Sequence, residues 1–262
     1  MEFVGQEKLI NTLNSYTLDS LPKTMMFLGE SGCGKHTLAQ NLAEKLGLTI
    51  LKIESKITAD QLIEYYQSPV ETLYIVELAN FTDKQQNSLL KFIEEPSDYA
   101  YILIIVESEA NILPTILNRC VKFEFEKYTK EQLSNFVNSD NNLLYNICST
   151  PGQIKLADSE AINNLFRLCE SIVKCLQMAS YSNTLTIVSK INHKEDYNKF
   201  DQNMFLKMLS YVAFNEYIQT NSTQAFKIYE LTNYFKQAKL NKNIVKENYM
   251  INFITQLWEA IH

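Results

Sequence analysis

A glycine-rich stretch near the start of the chain has the residue types and the spacing of a phosphate-binding loop. Gly29, Gly32, Gly34 and Lys35 fit the pattern G-x-x-x-x-G-K. The glycines let successive backbone N–H groups point at phosphate oxygens, the helix that follows adds its dipole, and Lys35 adds a positive charge. The sequence therefore predicts a nucleotide phosphate site.

The residue after Lys35 departs from this pattern. His36 stands where phosphate loops place the Ser or Thr hydroxyl that binds Mg²⁺, and an imidazole nitrogen is a poor substitute for a hard oxygen ligand. Thr37 does not take over, because one helical residue turns the side chain by about 100° around the axis. We expect the loop to require no cofactor and, at most, to bind ATP or ADP weakly without Mg²⁺.

A second departure follows the apolar run Leu73–Val76, where Glu77 and Leu78 come next. An active ATPase of this type ends that strand in Asp-Glu, in which Asp helps to hold Mg²⁺ and Glu polarises the attacking water. Here Glu77 stands in the metal position and Leu78 in the position of the base. Because leucine cannot accept a proton, we expect no hydrolysis at this chain's own site.

The elements that position these residues follow an α/β pattern, in which apolar runs of strand length alternate with helical periodicity. Five runs predict a five-stranded parallel sheet: Thr24–Leu28, Leu48–Ile53, Leu73–Val76, Tyr101–Val106 and Val121–Phe125. Capping boxes begin helices at Thr58, Thr82 and Thr129. After these runs the pattern is helical, and we predict an α/β phosphate-loop module (1–126), a small helical lid (127–160) and an all-helical domain (161–262).

Composition and charge limit the classes of function that are open to this chain. The 262 residues carry a net charge of -6, which argues against a chain that grips DNA by itself, since phosphate neutralisation needs clustered cations. Apolar residues make up 46% of the chain, yet no apolar run approaches the roughly 20 residues of a membrane span. The five cysteines have no C-x-x-C spacing, so we expect reduced thiols and no metal site. We expect a cytoplasmic protein without a membrane partner.

Four segments together resemble the clamp-loader AAA+ family of DNA replication. They are Val4–Glu7, the phosphate loop, Asn87–Pro96 and Ile112–Cys120. The last segment is the most specific, since the family reads Ser-Arg-Cys where this chain has Asn118-Arg119-Cys120. The resemblance implies that Arg119 reaches across a subunit interface to the ATP of a neighbour, and that the helical domain 161–262 is a collar that joins the subunits.

Within that family, a retained trans arginine beside a defective phosphate site resembles the delta-prime subunits of bacterial DNA polymerase III. The resemblance implies a subunit of a DNA-directed DNA polymerase holoenzyme. Its implied partners are the tau or gamma ATPase subunits and delta, with the sliding clamp and primed DNA reached through the complex. Three departures weaken only the chain's own site: Asn118 replaces Ser, Val106-Glu107 occupy the sensor position, and Gln153 replaces the lid arginine.

Arg119 can also be judged without the family. The chain uses Lys for nearly every basic position and has only one other arginine, Arg167, so a planar five-donor fork matters at residue 119. The alternative is an internal salt bridge, for example to Glu124 or Glu126. For the whole chain, the alternatives are an active AAA+ ATPase such as a helicase loader, and a P-loop transferase or kinase.

Overall fold

The chain folds into two compact units in a computed structural model that describes residues 4–136, 147–156, 159–184, 186, 202–237 and 246–262. The first unit contains Met1–Asn135 and Thr150–Gln153, and the second contains Phe136–Ser149 and Ile154–His262. The predicted division into domains 1–126, 127–160 and 161–262 stays a prediction.

A five-stranded parallel sheet forms the centre of the first unit, as predicted. Its strands are β1 (Thr24–Leu28), β2 (Thr49–Ile53), β3 (Thr72–Glu77), β4 (Ala100–Val106) and β5 (Val121–Glu124). Their order is β2-β3-β4-β1-β5, and every neighbouring pair is parallel. All five carboxyl ends therefore meet at one edge of the sheet, and all five amino ends meet at the opposite edge.

Helices precede, connect and follow the strands of the first unit. They are α1 (Glu7–Ser15), α2 (Lys35–Leu46), α3 (Ala59–Gln67), α4 (Asp83–Glu94), α5 (Pro114–Leu117) and α6 (Lys130–Ser134). The predicted capping boxes are present at Thr58, Thr82 and Thr129, where each hydroxyl accepts from a backbone N–H three residues on. Each box fixes the residue at which its helix begins.

The central strands are buried on both faces, which explains why they read as uninterrupted apolar runs. Met25 and Phe27 of β1 pack into a core that includes the α1 and α2 leucines. Met26 points to the other face, into a core that includes Tyr74 of β3 and Phe92 of α4. The sheet is thereby fixed between two helical layers, and the loops at its two edges carry the polar chemistry.

The described part of the second unit is helical. Its helices are α7 (Pro151–Leu156, whose first residues belong to the first unit), α8 (Ser159–Gln177), α9 (Gln202–Thr220), α10 (Thr223–Gln237) and α11 (Lys246–Ile261). Aromatic rings join α9 to α10, with Phe214 and Tyr229 centred 5.0 Å apart. Among the described residues, no helix combines the length and apolar character that crossing a membrane requires.

Candidate functional site

The glycine-rich loop lies at the carboxyl edge of the sheet, between the end of β1 and the start of α2. Gly32 and Gly34 have positive φ angles of 78° and 101°, which a residue with a side chain rarely adopts. Gly34 is the N-cap of α2 and makes no side-chain cap, so the first amides of the helix depend on other partners. The backbone therefore has the curl predicted for a phosphate loop.

Lys35, the cation of the loop, is turned back onto the loop itself. Its Nζ donates to the carbonyl oxygens of Gly29 at 2.6 Å and Glu30 at 2.8 Å, and the residue is only 7% exposed. The Sγ atom of Cys33 lies 3.9 Å from the same nitrogen. Burial raises the pKa of the Cys33 thiol, although Lys35 acts in the opposite direction. The Lys35 ammonium group, which would contact a bound phosphate, thus donates hydrogen bonds to carbonyl oxygens of the loop itself.

A short segment from much later in the chain packs on the outside of this loop. The Gly152 N–H donates to the Gly32 carbonyl at 2.9 Å, and the Thr150 hydroxyl donates to the Ser31 carbonyl at 2.8 Å. A Cβ atom on Gly152 would lie 2.5 Å from the Gly32 Cα, so the two glycines meet backbone to backbone. Gln153, predicted to replace a lid arginine, belongs to the same segment.

His36 and Glu77 meet directly at the carboxyl edge. The His36 Nε2 lies 3.1 Å from the Glu77 Oε1, and the two side chains are 46% and 44% exposed. In an active P-loop ATPase these two positions supply oxygen ligands for Mg²⁺. An imidazole in contact with the remaining carboxylate does not fit an ion that demands near-octahedral oxygen ligation. Thr37 lies on the exposed side of the same helical turn.

The Leu78 side chain is apolar and also lies outside the site. It begins a 3₁₀ turn after β3, is 1% exposed, and packs in the core that includes Tyr74 and Phe92. A side chain in this conformation points into the core, away from any water near the loop. The position that holds the general base in an active ATPase of this type is therefore filled by a buried apolar side chain.

Arg119 lies at the opposite, amino edge of the sheet, two residues before β5. Its Nη2 is 2.9 Å from the Glu94 Oε1, and its Nη1 donates to the Thr115 carbonyl at 2.7 Å. The side chain is 39% exposed. An internal salt bridge does exist, but its partner is Glu94 rather than Glu124 or Glu126, and the guanidinium still has donors beyond these two contacts.

The turn that carries Arg119 is fixed by a buried amide. Gln86 of α4 is 1% exposed, and its Oε1 accepts from the Leu113 N–H at 3.0 Å, just before α5 begins. Pro114 supplies the first residue of that helix, and Ile116 is fully buried. Arg119 therefore lies in a turn that directly follows a short, well-anchored helix.

Sequence reasoning missed two contributors to these sites. Glu94, which pairs with Arg119, lies in the segment Asn87–Pro96, and its place at the end of α4 was a usable signal. The contact of Gly152 with Gly32 joins residues 120 positions apart, and no local sequence pattern predicts it. Of the predicted site residues, the structure groups Gly29, Gly32, Gly34, Lys35, His36, Thr37 and Glu77 at the carboxyl edge and places Arg119 alone at the other.

The strand order, the loop after β1 and the helical cover define an α/β phosphate-loop fold. A model of the DNA polymerase III delta subunit family matches residues 48–129, which is less than half of the chain. A DNA polymerase III gamma subunit-related protein from Thermotoga maritima shares the fold, with a TM-score of 0.54 and 14% identity over 98% of this chain and 100% of that one.

Curated relatives agree with this class. The replication factor C small subunit of Methanococcus maripaludis is 25% identical over 150 residues, covering 50% of this chain and 47% of that protein. The DNA polymerase III subunit gamma of Buchnera aphidicola is 21% identical over 171 residues, covering 52% and 47%. The chain thus spans about half the length of these relatives. Together, the matches support the clamp-loader AAA+ family.

Proposed function

We propose that this chain is a non-hydrolysing clamp-loader subunit of the delta-prime kind, whose Arg119 acts on ATP held by a neighbouring subunit. Its proposed partners are the tau or gamma ATPase subunits and delta of a DNA polymerase III holoenzyme, with the sliding clamp and primed DNA engaged through the assembly. One observation carries the proposal. The chain's own phosphate site is internally satisfied, whereas Arg119 is exposed on the opposite edge of the same sheet.

The chemistry of the proposed role needs a fixed cation and little else from this chain. In phosphoryl transfer, charge spreads over the γ-phosphate oxygens, and an arginine supplied in trans accelerates turnover by about 10³ to 10⁵ in well-studied NTPases. The planar fork of Arg119 matches two phosphate oxygens at once. No cofactor is needed by this chain itself, and weak ATP or ADP binding without Mg²⁺ is the most that its own loop would retain.

Replacement of Arg119 in the assembled loader tests the proposal. Arg119→Ala should lower DNA- and clamp-stimulated ATP turnover, by less than the full trans-arginine effect because other interfaces of the ring still hydrolyse ATP. Arg119→Lys should be nearly as damaging, since an ammonium keeps the charge and loses the fork. The matched control is Arg167→Ala, which removes the exposed arginine of α8 in the second unit.

Thermal unfolding of the isolated variants separates the two roles of Arg119. Its ion pair with Glu94 is exposed and contributes about 0–1 kcal/mol, so Arg119→Ala should leave the fold nearly unchanged. A large loss of stability together with normal clamp loading would instead assign Arg119 a structural role. ATP hydrolysis by the isolated chain above background would favour the alternative, an active AAA+ ATPase.

A further inference from the structure

An open cleft of about 450 Å³ lies at the amino edge of the sheet, between the starts of β1 and β5 and the end of α4. The residues that line it include Lys23, Thr24, Glu94, Glu95 and Arg119. The cleft therefore leaves Arg119 open at this edge of the sheet, in contact with the Glu94 carboxylate.

Two contacts from different elements hold the guanidinium in this cleft. Glu94, the last residue of α4, contacts Nη2, and the Thr115 carbonyl of α5 accepts from Nη1. A guanidinium has five N–H donors, so two such contacts leave donors for a ligand. With 39% of the side chain exposed, a phosphate can approach without first displacing Glu94.

The ion pair between Glu94 and Arg119 is better suited to orienting the guanidinium than to stabilising the fold. Both side chains are 39% exposed, and ion pairs in such surroundings contribute little to the free energy of folding. An unrestrained arginine, however, loses much of its rotamer entropy when it is fixed on a ligand. A carboxylate that fixes the fork beforehand removes part of that loss from the reaction step.

We infer that Glu94 is a positioning residue, which holds the Arg119 guanidinium in the cleft so that it meets the phosphate oxygens of a nucleotide bound by the adjacent subunit. This inference rests on the proposed function and adds the residue that pre-orders the trans arginine. Glu94 itself touches no nucleotide in this scheme. It acts through Arg119, and its effect exists only while Arg119 is present.

The test uses the assembled loader and measures kcat and KM for ATP with DNA and clamp present. Glu94→Ala should lower kcat by about tenfold, because a misaligned group loses much of its effect on the reacting atoms. KM should stay unchanged, since the ATP is bound by the neighbour's own loop. Glu94→Gln keeps an acceptor oxygen and should lose less. The matched control is Glu95→Ala, which removes a second exposed carboxylate from the same cleft.

Dependence on Arg119 gives the decisive readout. In an Arg119→Ala background, Glu94→Ala should cause no further loss, and the isolated Glu94→Ala and Glu95→Ala chains should unfold at similar temperatures. An unchanged or raised kcat for Glu94→Ala, or an equal loss in both backgrounds, would overturn the positioning role alone. If Arg119→Ala itself has no effect on the loader, the proposed function fails and the inference fails with it.

Discussion

The two edges of the sheet carry opposite kinds of polar site. At the carboxyl edge Lys35 is 7% exposed and bonded to its own loop, His36 contacts Glu77, and Leu78 is buried in the core. At the amino edge Arg119 is 39% exposed in an open cleft. The same sheet thus holds one cation within its own loop at the carboxyl edge and leaves another partly exposed at the amino edge.

A substitution at the buried residue Leu78 has the largest expected effect on stability. Leu78→Glu restores the residue type of a general base, but it places a carboxylate in the core beside Tyr74 and Phe92. We expect the free energy of unfolding to fall by about 3 kcal/mol or more, with no gain in ATP hydrolysis. Denaturant unfolding and an ATPase assay on the isolated chain check both parts.

The control for that substitution is Leu78→Met, which nearly conserves volume and should cost less than about 1.5 kcal/mol. A stable Leu78→Glu protein that hydrolyses ATP would contradict the contrast between the edges, since the carboxyl edge would then be one substitution away from activity.

A substitution at the contact between Gly152 and Gly32 has the next largest expected effect. Gly152→Ala would place a Cβ 2.5 Å from the Gly32 Cα, so the segment around Gly152 must shift away from the loop. We expect a loss of about 1–3 kcal/mol in denaturant unfolding. Gly47→Ala is the control: nothing lies within 4 Å of its Cβ, and only the positive φ opposes it, at about 1 kcal/mol. Equal costs for the two variants would show that the loop is not closed by this contact.

Nucleotide binding tests the proposal that the phosphate loop at the carboxyl edge holds no Mg²⁺-nucleotide. We expect calorimetry on the isolated chain to show weak ATP or ADP binding at most, with Mg²⁺ changing the affinity by less than about tenfold, or 1.4 kcal/mol. The reason is the replacement of a hydroxyl by His36 and its contact with Glu77. A large gain in affinity with Mg²⁺ would mean that these residues, or Thr37, do hold the ion.

The smallest effect concerns the His36–Glu77 pair itself. Both side chains are nearly half exposed, so a double-mutant cycle with His36→Ala and Glu77→Ala should give a coupling energy below about 1 kcal/mol in unfolding measurements. The contact fills the metal position without anchoring the fold. A coupling of several kcal/mol would instead make this pair a structural element of the loop.

Much of this arrangement could be predicted from the sequence, for identifiable physical reasons. Buried parallel strands are continuous apolar runs, so the run Thr24–Leu28 gave β1 its bounds, and three capping boxes fixed three helix starts. The phosphate loop was recognisable because its backbone conformation requires glycine at fixed positions. The departures from the residue types of an active ATPase, at His36 and Leu78, were visible in the sequence.

The remaining features depend on tertiary contacts that leave no local pattern. The burial of Leu78 follows from the 3₁₀ turn after β3, which sequence periodicity does not encode. The partner of Arg119 is Glu94, at the end of a helix 25 positions earlier, and nearer carboxylates at Glu124 and Glu126 were equally plausible by charge alone. Only the packing of α5 against α4 decides between them.

The most direct test of the central claim is a structure of the assembled loader with a non-hydrolysable ATP analogue, determined by electron cryomicroscopy. We expect the Arg119 guanidinium at hydrogen-bonding distance, about 3 Å, from the γ-phosphate on the neighbouring subunit. The Lys35 ammonium should remain on the Gly29 and Glu30 carbonyls, without a Mg²⁺-nucleotide in its own loop. A Mg²⁺-nucleotide bound by Lys35, with Arg119 distant from any phosphate, would contradict the account.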